Sequence, residues 1–565
     1  MRRQFHHQTS SLLVMYGIPK PKACQGCAEA KAKCEPEVGS DRCKRCTIYG
    51  IECSVRVPAP RKRRRAAQSD GANEIQGPNL VLPCTLQEVT QGREHYRKSM
   101  EHSFPFVILP EKLPSVEQFI REQAFLALVM AMLGCIQDRS RQRDLAVKAR
   151  EYLGVAMLQC GQKTLDMLQG LLLLMNWYHY QFELPSQRSV FMHLAMSLVV
   201  DLELNKSPFT RNRLKRIGEA THGFDVDTSK APDHTLDQRR AFLGCLYMSS
   251  VMGKSVLNMD ALRFSEYSHR CCAVIEASGL PSDQVLVHMM RLQYVVEKFE
   301  DARSRFIQRR LAASLVLEPQ NRSYNGESIR VEETFDFDRW DRQLTQGWDR
   351  IPPNDKTELL CVQYHYARVC LYQDCLEDAL FSTDADRLVV IHKCVAAIKS
   401  LNDIFHPMDQ RPHMLLNVPT LVFTQSSHAI FLTVQLFSLR CEGWSGRMVE
   451  EKLEFQEILE SAGRNLGQLM ERMPPIQIPQ FFKGLVPVAK DLRKWYAAKI
   501  RAVASSEPIV ENSLSEEKEA DFDLVDLGLF GQFLDLDDNF WLQNMLGASG
   551  GQMGPDEPGG FGASW

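Results

Sequence analysis

The sequence predicts a mainly α-helical protein, with a small cysteine-rich module before the helical region and an acidic tail after it. Six cysteines between residues 24 and 53 form two C-x2-C-x6-C repeats. Apolar runs with helical spacing recur from residue 100 to 500, with almost none of the period-two alternation that marks strands. From residue 507 onward, acidic residues alternate with apolar and aromatic ones.

The cysteine repeats indicate a metal site. One tetrahedral Zn²⁺ accepts four ligands. Six thiolates complete two tetrahedra if two sulfurs are shared, because four terminal and two shared sulfurs make eight bonds. A disulfide framework and a four-cysteine site with two unbound thiols are the alternatives. The rest of the chain does not resemble a secreted protein, and the symmetry of the two halves disfavours unbound thiols. The six cysteines are Cys24, Cys27, Cys34, Cys43, Cys46 and Cys53.

This segment resembles the fungal zinc binuclear cluster transcription factors. The matching residues, at the family's usual spacing, are Ala23, Cys24, Cys27, Lys31, Lys33, Cys34, Cys43, Cys46, Gly50 and Cys53. The resemblance implies two Zn²⁺ ions bridged by Cys24 and Cys43, and double-stranded DNA as the partner. It also implies a short helix after each C-x2-C, the first of which enters the major groove.

The same resemblance assigns the DNA contacts. It places Lys31 on the guanine edges of a CGG-like triplet, where a lysine can donate to O6 and N7. It places Lys33, Lys44 and Arg45 near phosphates or beside the negative cluster. The chain departs from the family at Ala28-Glu29-Ala30, where basic residues are usual, and at Asp41, where proline is frequent. These departures concern phosphate affinity and the connecting loop, not zinc binding.

The charge distribution supports a polyanion partner at the N-terminal end. Residues 1–65 hold fifteen Lys/Arg and five Asp/Glu, whereas the whole chain has a net charge of −3. A basic run beside a DNA-binding module indicates nuclear import, phosphate contact, or both. That run consists of Arg61, Lys62, Arg63, Arg64 and Arg65.

These features divide the chain. Residues 1–22 are expected to be a disordered leader, in which Met15 is an alternative start. The cluster module occupies 23–57, a basic run with a linker 58–100, an all-helical regulatory domain 101–500, an activation segment 507–546 and a disordered tail 547–565. The linker lacks a sustained apolar heptad, so it predicts no coiled coil, although a homodimer is left open. The sequence contains no stretch of about eighteen apolar residues, so it predicts no membrane-spanning helix.

The helical region has recognisable signals. Ser115 is an N-cap candidate with Gln118 at the capping-box position, and the apolar run that follows to Cys135 predicts a buried helix. Residues 310–355 are polar and interrupted, and His179 is expected to be a satisfied core histidine. Further helical runs are 163–181, 191–200, 239–248, 357–381, 387–405 and 446–473. The stretches Leu168-Gln169-Gly170-Leu171 and Trp177-Tyr178-His179-Tyr180 are the clearest part of a further resemblance. Over residues 103–310 the chain is similar to regulators of the weak-acid-response and leucine-pathway type. This similarity implies a regulatory region and leaves a small-molecule effector open.

The acidic tail predicts a transcriptional activation segment. Residues 507–540 hold one Lys and eleven Asp/Glu, interleaved with aromatic residues. The acids keep the apolar side chains solvated until a coactivator groove takes them as anchors. Phe530, Phe540 and Trp541 are the candidate anchors. A plain solubility tail is the alternative.

The sequence therefore favours a nuclear, sequence-specific regulator of RNA polymerase II transcription, and an activator in particular. The resemblance implies that its targets are metabolic or secondary-metabolite genes. It contains no P-loop, G-x-S-x-G or H-E-x-x-H motif, and we expect no enzymatic activity. A repressor, or a metabolite-binding protein with a structural zinc module, is the alternative.

Overall fold

A computed structural model describes two compact units, which divide between residues 76 and 77. The described residues are 24, 26–27, 30, 32–37, 40, 42–54, 82–208, 233–255, 259–316, 334–405 and 412–505. Among them the structure is helical and contains no strand beyond one isolated bridge between Pro36 and Cys43. The mainly α prediction is confirmed.

The first unit is small. One of its α-helices lies wholly within the described residues, α1 (Lys44–Ile48), and Gly26 and Cys27 are also helical. Its core consists of sulfur: Cys27 and Cys46 are fully buried, Cys43 is nearly so, and the other three cysteines pack against them. A module of this size has too little apolar core to fold alone, and such modules commonly depend on a metal.

The second unit is an assembly of helices around one large core. Its α-helices in chain order are α2 (Leu86–Ser99), α3 (Val116–Glu122), α4 (Ala124–Gly134), α5 (Arg139–Leu153), α6 (Leu165–Asn176), α7 (Arg188–Asp201), α8 (Leu236–Ser255), α9 (Glu266–Glu276), α10 (Pro281–Val316), α11 (Phe337–Asp349), α12 (Glu358–Tyr372), α13 (Asp384–Phe405), α14 (Thr420–Ser438), α15 (Arg447–Leu453), α16 (Phe455–Arg472) and α17 (Gln480–Ser505).

Helix α4 lies at the centre of the N-terminal half of this unit. Every residue from Phe125 to Leu133 is at most 1% exposed, because the helix is apolar on all sides and other helices cover it. Helix α2 approaches it through Gly92. A Cβ atom on Gly92 would lie 2.8 Å from the backbone nitrogen of Ala131, so only glycine fits.

Most predicted helix signals are confirmed. The Ser115 hydroxyl accepts a hydrogen bond from the N–H of Gln118, although the Gln118 side chain bonds Glu122 instead of completing the capping box. The predicted run 446–473 is two helices, because Glu454 adopts a left-handed conformation (φ 53°) between α15 and α16.

Seven of the described helices lie outside the runs that the sequence analysis named. Five of them received no separate assignment: α5, α9, α10, α14 and α17. The other two lie in stretches that were assigned to a linker or a loop. Helix α2 lies inside the stretch assigned to the linker, and α11 lies inside the stretch described as polar and interrupted. The loop expected at 321–326 lies outside the described residues. Among the described residues, no helix combines the length and apolar composition needed to cross a membrane.

Candidate metal centre

In each C-x2-C turn, the backbone N–H of the second cysteine donates to the sulfur of the first cysteine. The N–H of Cys46 is the main cause that lowers the pKa of the Cys43 thiol to about 6. The N–H of Cys27 likewise lowers the pKa of Cys24. Burial has the opposite effect on the second cysteine of the first turn, since it raises the pKa of Cys27 to about 12. The first cysteine of each turn is thus favoured as a thiolate, the form that binds metal.

The sulfur atoms of four cysteines converge. Sγ of Cys24 lies 3.8 Å from that of Cys43 and 3.6 Å from that of Cys46. Sγ of Cys27 lies 3.5 Å from that of Cys43. In a tetrahedral site with zinc–sulfur bonds of about 2.3 Å, neighbouring sulfurs lie about 3.8 Å apart. The spacing and the all-sulfur donor set therefore fit zinc, and Cys24, Cys27, Cys43 and Cys46 form a group that can hold a metal ion.

The remaining two cysteines join this group on different sides. The Cys34 thiol interacts with those of Cys24, Cys27 and Cys43. The Cys53 thiol interacts with those of Cys24, Cys43 and Cys46, and it accepts a hydrogen bond of 3.3 Å from the N–H of Cys43. These interactions relate Cys34 to the thiols of Cys24, Cys27 and Cys43, and Cys53 to those of Cys24, Cys43 and Cys46, so Cys24 and Cys43 are common to both groupings.

The basic side chains assigned to DNA or cluster charge have partners within the module. Lys33 lies 2.7 Å from Glu35, and Lys44 lies 3.8 Å from the other oxygen of the same carboxylate. Arg45 donates a hydrogen bond of 3.4 Å to the Gly26 carbonyl and lies over the Tyr49 ring. Arg45 therefore links α1 to the first C-x2-C turn.

The sequence analysis did not single out Glu35, which pairs with both lysines. Lys31, the residue assigned to the guanine edges, lies outside the described residues. So do the basic run 61–65 and the anchors Phe530, Phe540 and Trp541.

The second unit contains no metal-ligand group among its described residues, and its buried histidine is structural. Nδ1 of His179 lies 3.0 Å from the Thr420 hydroxyl, and Nε2 lies 3.1 Å from the Leu416 carbonyl oxygen. Burial lowers the pKa of His179 to about 3, so the ring is neutral. The interpretation as a satisfied core histidine is confirmed.

Cavities occur in several places, and two of them are lined in part by α10. One, of about 890 Å³, lies between α9, α10, α11 and the segment to Asp355, with aromatic, histidine and arginine side chains on its wall. Its volume lies within the usual range for small-molecule sites, about 300–1,000 Å³.

Comparison with known proteins finds a known domain in the helical unit. Residues 95–255 match the fungal specific transcription factor domain. This match and the relatives described below support a fungal transcription regulator of the zinc cluster type. This family consists of transcription regulators and not of enzymes. The domain model covers helices α3 to α8 fully and says nothing of the cysteine module. No solved structure matches the chain.

Three relatives are transcription factors by name. The chain is 24% identical to transcription factor opdL of Penicillium oxalicum, over 94% of this chain and 98% of that protein. It is 23% identical to transcription factor himD of Aspergillus japonicus, over 70% of each chain. It is 25% identical to transcription factor pbcR of Emericella nidulans, over 45% of this chain and 34% of that protein.

Proposed function

We propose that this protein is a nuclear, sequence-specific activator of RNA polymerase II transcription that reads CGG-like triplets through two zinc ions. The arrangement of the six sulfurs carries the proposal, because two groupings of four thiols that share Cys24 and Cys43 suit two tetrahedra with two bridging ligands. Bound zinc supplies the free energy that folds the module.

The negative charge expected for the metal-loaded cluster accounts for the basic side chains around it. Two Zn²⁺ ions and six thiolates carry a net charge of −2, and Lys33, Lys44 and Arg45 lie in the same module. We assign Arg45 to the support of the cluster, because it bonds the Gly26 carbonyl. Lys31 is assigned to guanine, and Lys33 and Lys44 to phosphates once DNA competes with Glu35.

The remaining segments complete the proposal. The basic run 61–65 serves nuclear import and phosphate contact, and the segment 507–546 recruits coactivators. The target genes are those of metabolism or secondary metabolism. A homodimer and a small-molecule effector fit the same scheme, and the 890 Å³ cavity beside α10 is the candidate effector site.

Selection of binding sites from random DNA tests the proposal. Residues 1–76, which form one compact unit, are loaded with zinc and compared with the same fragment stripped by a chelator. We expect enrichment of CGG-like triplets only with zinc. Enrichment that persists without metal, or no enrichment at all, would contradict a zinc-dependent DNA reader. A reporter driven by the selected site then separates an activator from a repressor.

A further inference from the structure

Helix α17 (Gln480–Ser505) carries a line of cations along its outer face. The helix contains six Lys/Arg and one acidic residue. At 3.6 residues per turn, Lys483, Lys490, Lys494 and Arg501 fall within an arc of about 40°. We call these four residues the basic stripe. The opposite face packs into the core through Phe481, Phe482 and Tyr496, each at most 3% exposed.

The basic stripe is accessible. Lys490, Lys494 and Arg501 are exposed. No carboxylate among the described residues forms an ion pair with Lys483 or Lys490, whereas Lys494 lies 3.2 Å from Asp491 on the same helix. Val486, which is 37% exposed, and the exposed Pro487 lie between the first two lysines. The face therefore offers positive charge with apolar surface interspersed.

The chain continues from this helix directly into a segment of opposite charge. Glu507 follows Ser505 by two residues, and residues 507–540 have a net charge of −10 from one Lys and eleven Asp/Glu. Lys483 and Arg501 are 18 residues apart, so the stripe is about 27 Å long. The 16 residues from Ser505 to Asp521 can extend up to about 53 Å, so the acids can reach every cation.

We propose that residues 507–546 dock on the basic stripe of the same chain, with carboxylates on its cations and apolar side chains against Val486 and Pro487. Exposed ion pairs are individually weak. A short covalent tether gives an effective concentration on the order of millimolar, which lets several weak contacts act together. Docking would occupy the aromatic side chains that a coactivator needs; this consequence rests on the proposed activating role, whereas the docking does not.

Zero-length carbodiimide cross-linking of the full-length, zinc-loaded protein tests the docking. An equal mixture of isotopically light and heavy chains separates contacts within a chain from contacts between chains. We expect cross-links within one chain from Lys483, Lys490 or Lys494 to acids of 507–540. The yield should decrease when the salt concentration is raised from 0.1 to 1 M, because the Debye length then shortens from about 10 to about 3 Å. The Lys163–Asp201 pair, 3.1 Å apart, is an internal positive control.

Charge reversal provides the matched comparison. The variant Lys483→Glu/Lys494→Glu should lower the cross-link yield at the unchanged Lys490 by roughly threefold or more, since each exposed pair changes an equilibrium roughly 1.4- to 5-fold. The control Lys98→Glu/Lys112→Glu reverses two exposed cations elsewhere in the same unit and should leave this yield unchanged. Thermal unfolding of both variants verifies that they fold.

Three outcomes would overturn the docking: no cross-link at Lys490 while Lys163–Asp201 cross-links, cross-links only between chains, or a yield that charge reversal leaves unchanged. A loss of DNA affinity on charge reversal, without tail cross-links, would instead make the stripe a phosphate-binding surface.

A reporter assay with the tail fused to an unrelated DNA-binding domain measures the activating role independently of the cross-links. A silent tail that cross-links contradicts the activating role alone, and an active tail that does not cross-link contradicts the docking alone.

Discussion

The sulfur atoms of Cys24 and Cys43 lie 3.8 Å apart although 19 residues separate them in the chain. Each is the first cysteine of a C-x2-C turn, and each contacts the sulfurs of both halves. Two sulfurs that belong to both groupings of four are the geometric requirement for bridging two metal ions.

This relationship predicts unequal effects of cysteine replacement on zinc content. Residues 1–76 should bind two Zn²⁺. Cys24→Ser or Cys43→Ser should reduce the content below one, because each serine removes a ligand from both tetrahedra. Cys34→Ser or Cys53→Ser should leave about one ion, since each removes a ligand from one tetrahedron. Metal analysis of the purified fragments gives the result. Equal losses for all four variants, or one zinc in the parent, would contradict shared sulfurs.

The second prediction concerns base recognition. Lys31→Ala should weaken binding to the selected DNA by about 1–3 kcal/mol and relax the preference at one base pair. Lys33→Ala is the matched control, because Lys33 is two residues away, highly exposed and paired with Glu35. It should weaken binding to all sequences by a similar small factor. Affinities on the selected site and on single-base variants provide the measurement. A uniform loss for Lys31→Ala would make Lys31 a phosphate contact.

The two helices in the stretches assigned to a linker and a loop, α2 and α11, carried readable signals. Before α2, Thr85 and Glu88 form a full capping box, with the Glu88 carboxylate 2.7 Å from the N–H of Thr85. In α11, Phe337, Trp340 and Leu344 are buried at helical spacing. Both helices are polar on their outer faces, and this polarity made each stretch resemble a linker or a loop.

Other features depend on contacts that no local pattern contains. The Asp166 carboxylate on α6 accepts hydrogen bonds of 3.0 and 2.7 Å from the N–H groups of Phe125 and Leu126, about 40 residues earlier. Arg240 on α8 forms two hydrogen bonds of 2.8 Å to Asp283 on α10, 43 residues later. The sequence predicts that such helices exist, but packing decides which of them meet.

The third prediction uses Asp166. Burial is the main cause that raises its pKa from 3.8 to about 6 in the folded protein. Because the folded pKa lies above the unfolded one, this stabilising contribution is complete below pH 3.8 and is lost as the pH rises through 6. As the pH falls from 7 to 5, the unfolding free energy should therefore rise by roughly 1.3 kcal/mol relative to Asp166→Asn. Denaturant unfolding at several pH values measures the difference.

A second carboxylate serves as the control for this measurement. Asp144→Asn, which removes an exposed carboxylate on α5, is the matched control for the loss of one negative charge. If the Asp166→Asn difference shows no more pH dependence than this control, the carboxylate is solvated in the folded protein and its capping of α4 is not a buried interaction.

The fourth prediction concerns the contact between α2 and α4. Gly92→Ala should lower the unfolding free energy by about 1–3 kcal/mol, the usual cost of overpacking a tight core, because the added Cβ would press on the backbone at Ala131. Gly467→Ala in α16 is the control, since no heavy atom lies within 4 Å of its added Cβ. That variant should be about 0.5–1 kcal/mol more stable, as expected for glycine replaced by alanine in a helix. Equal effects of the two substitutions would rule out a glycine-dependent crossing.

The last prediction concerns the tail. Residues 507–546, fused to an unrelated DNA-binding domain, should activate a reporter gene. Each aromatic anchor buried in a partner groove supplies roughly 1.5–3 kcal/mol, less the cost of ordering the segment, and two or three anchors then give weak, reversible recruitment. Replacing Phe530, Phe540 and Trp541 by alanine should abolish activation, whereas replacing three acids by asparagine should only reduce it. Full activation by the aromatic variant would exclude docking through these side chains. A silent parent fusion would make the segment a solubility tail, and activation or repression would then depend on the helical unit.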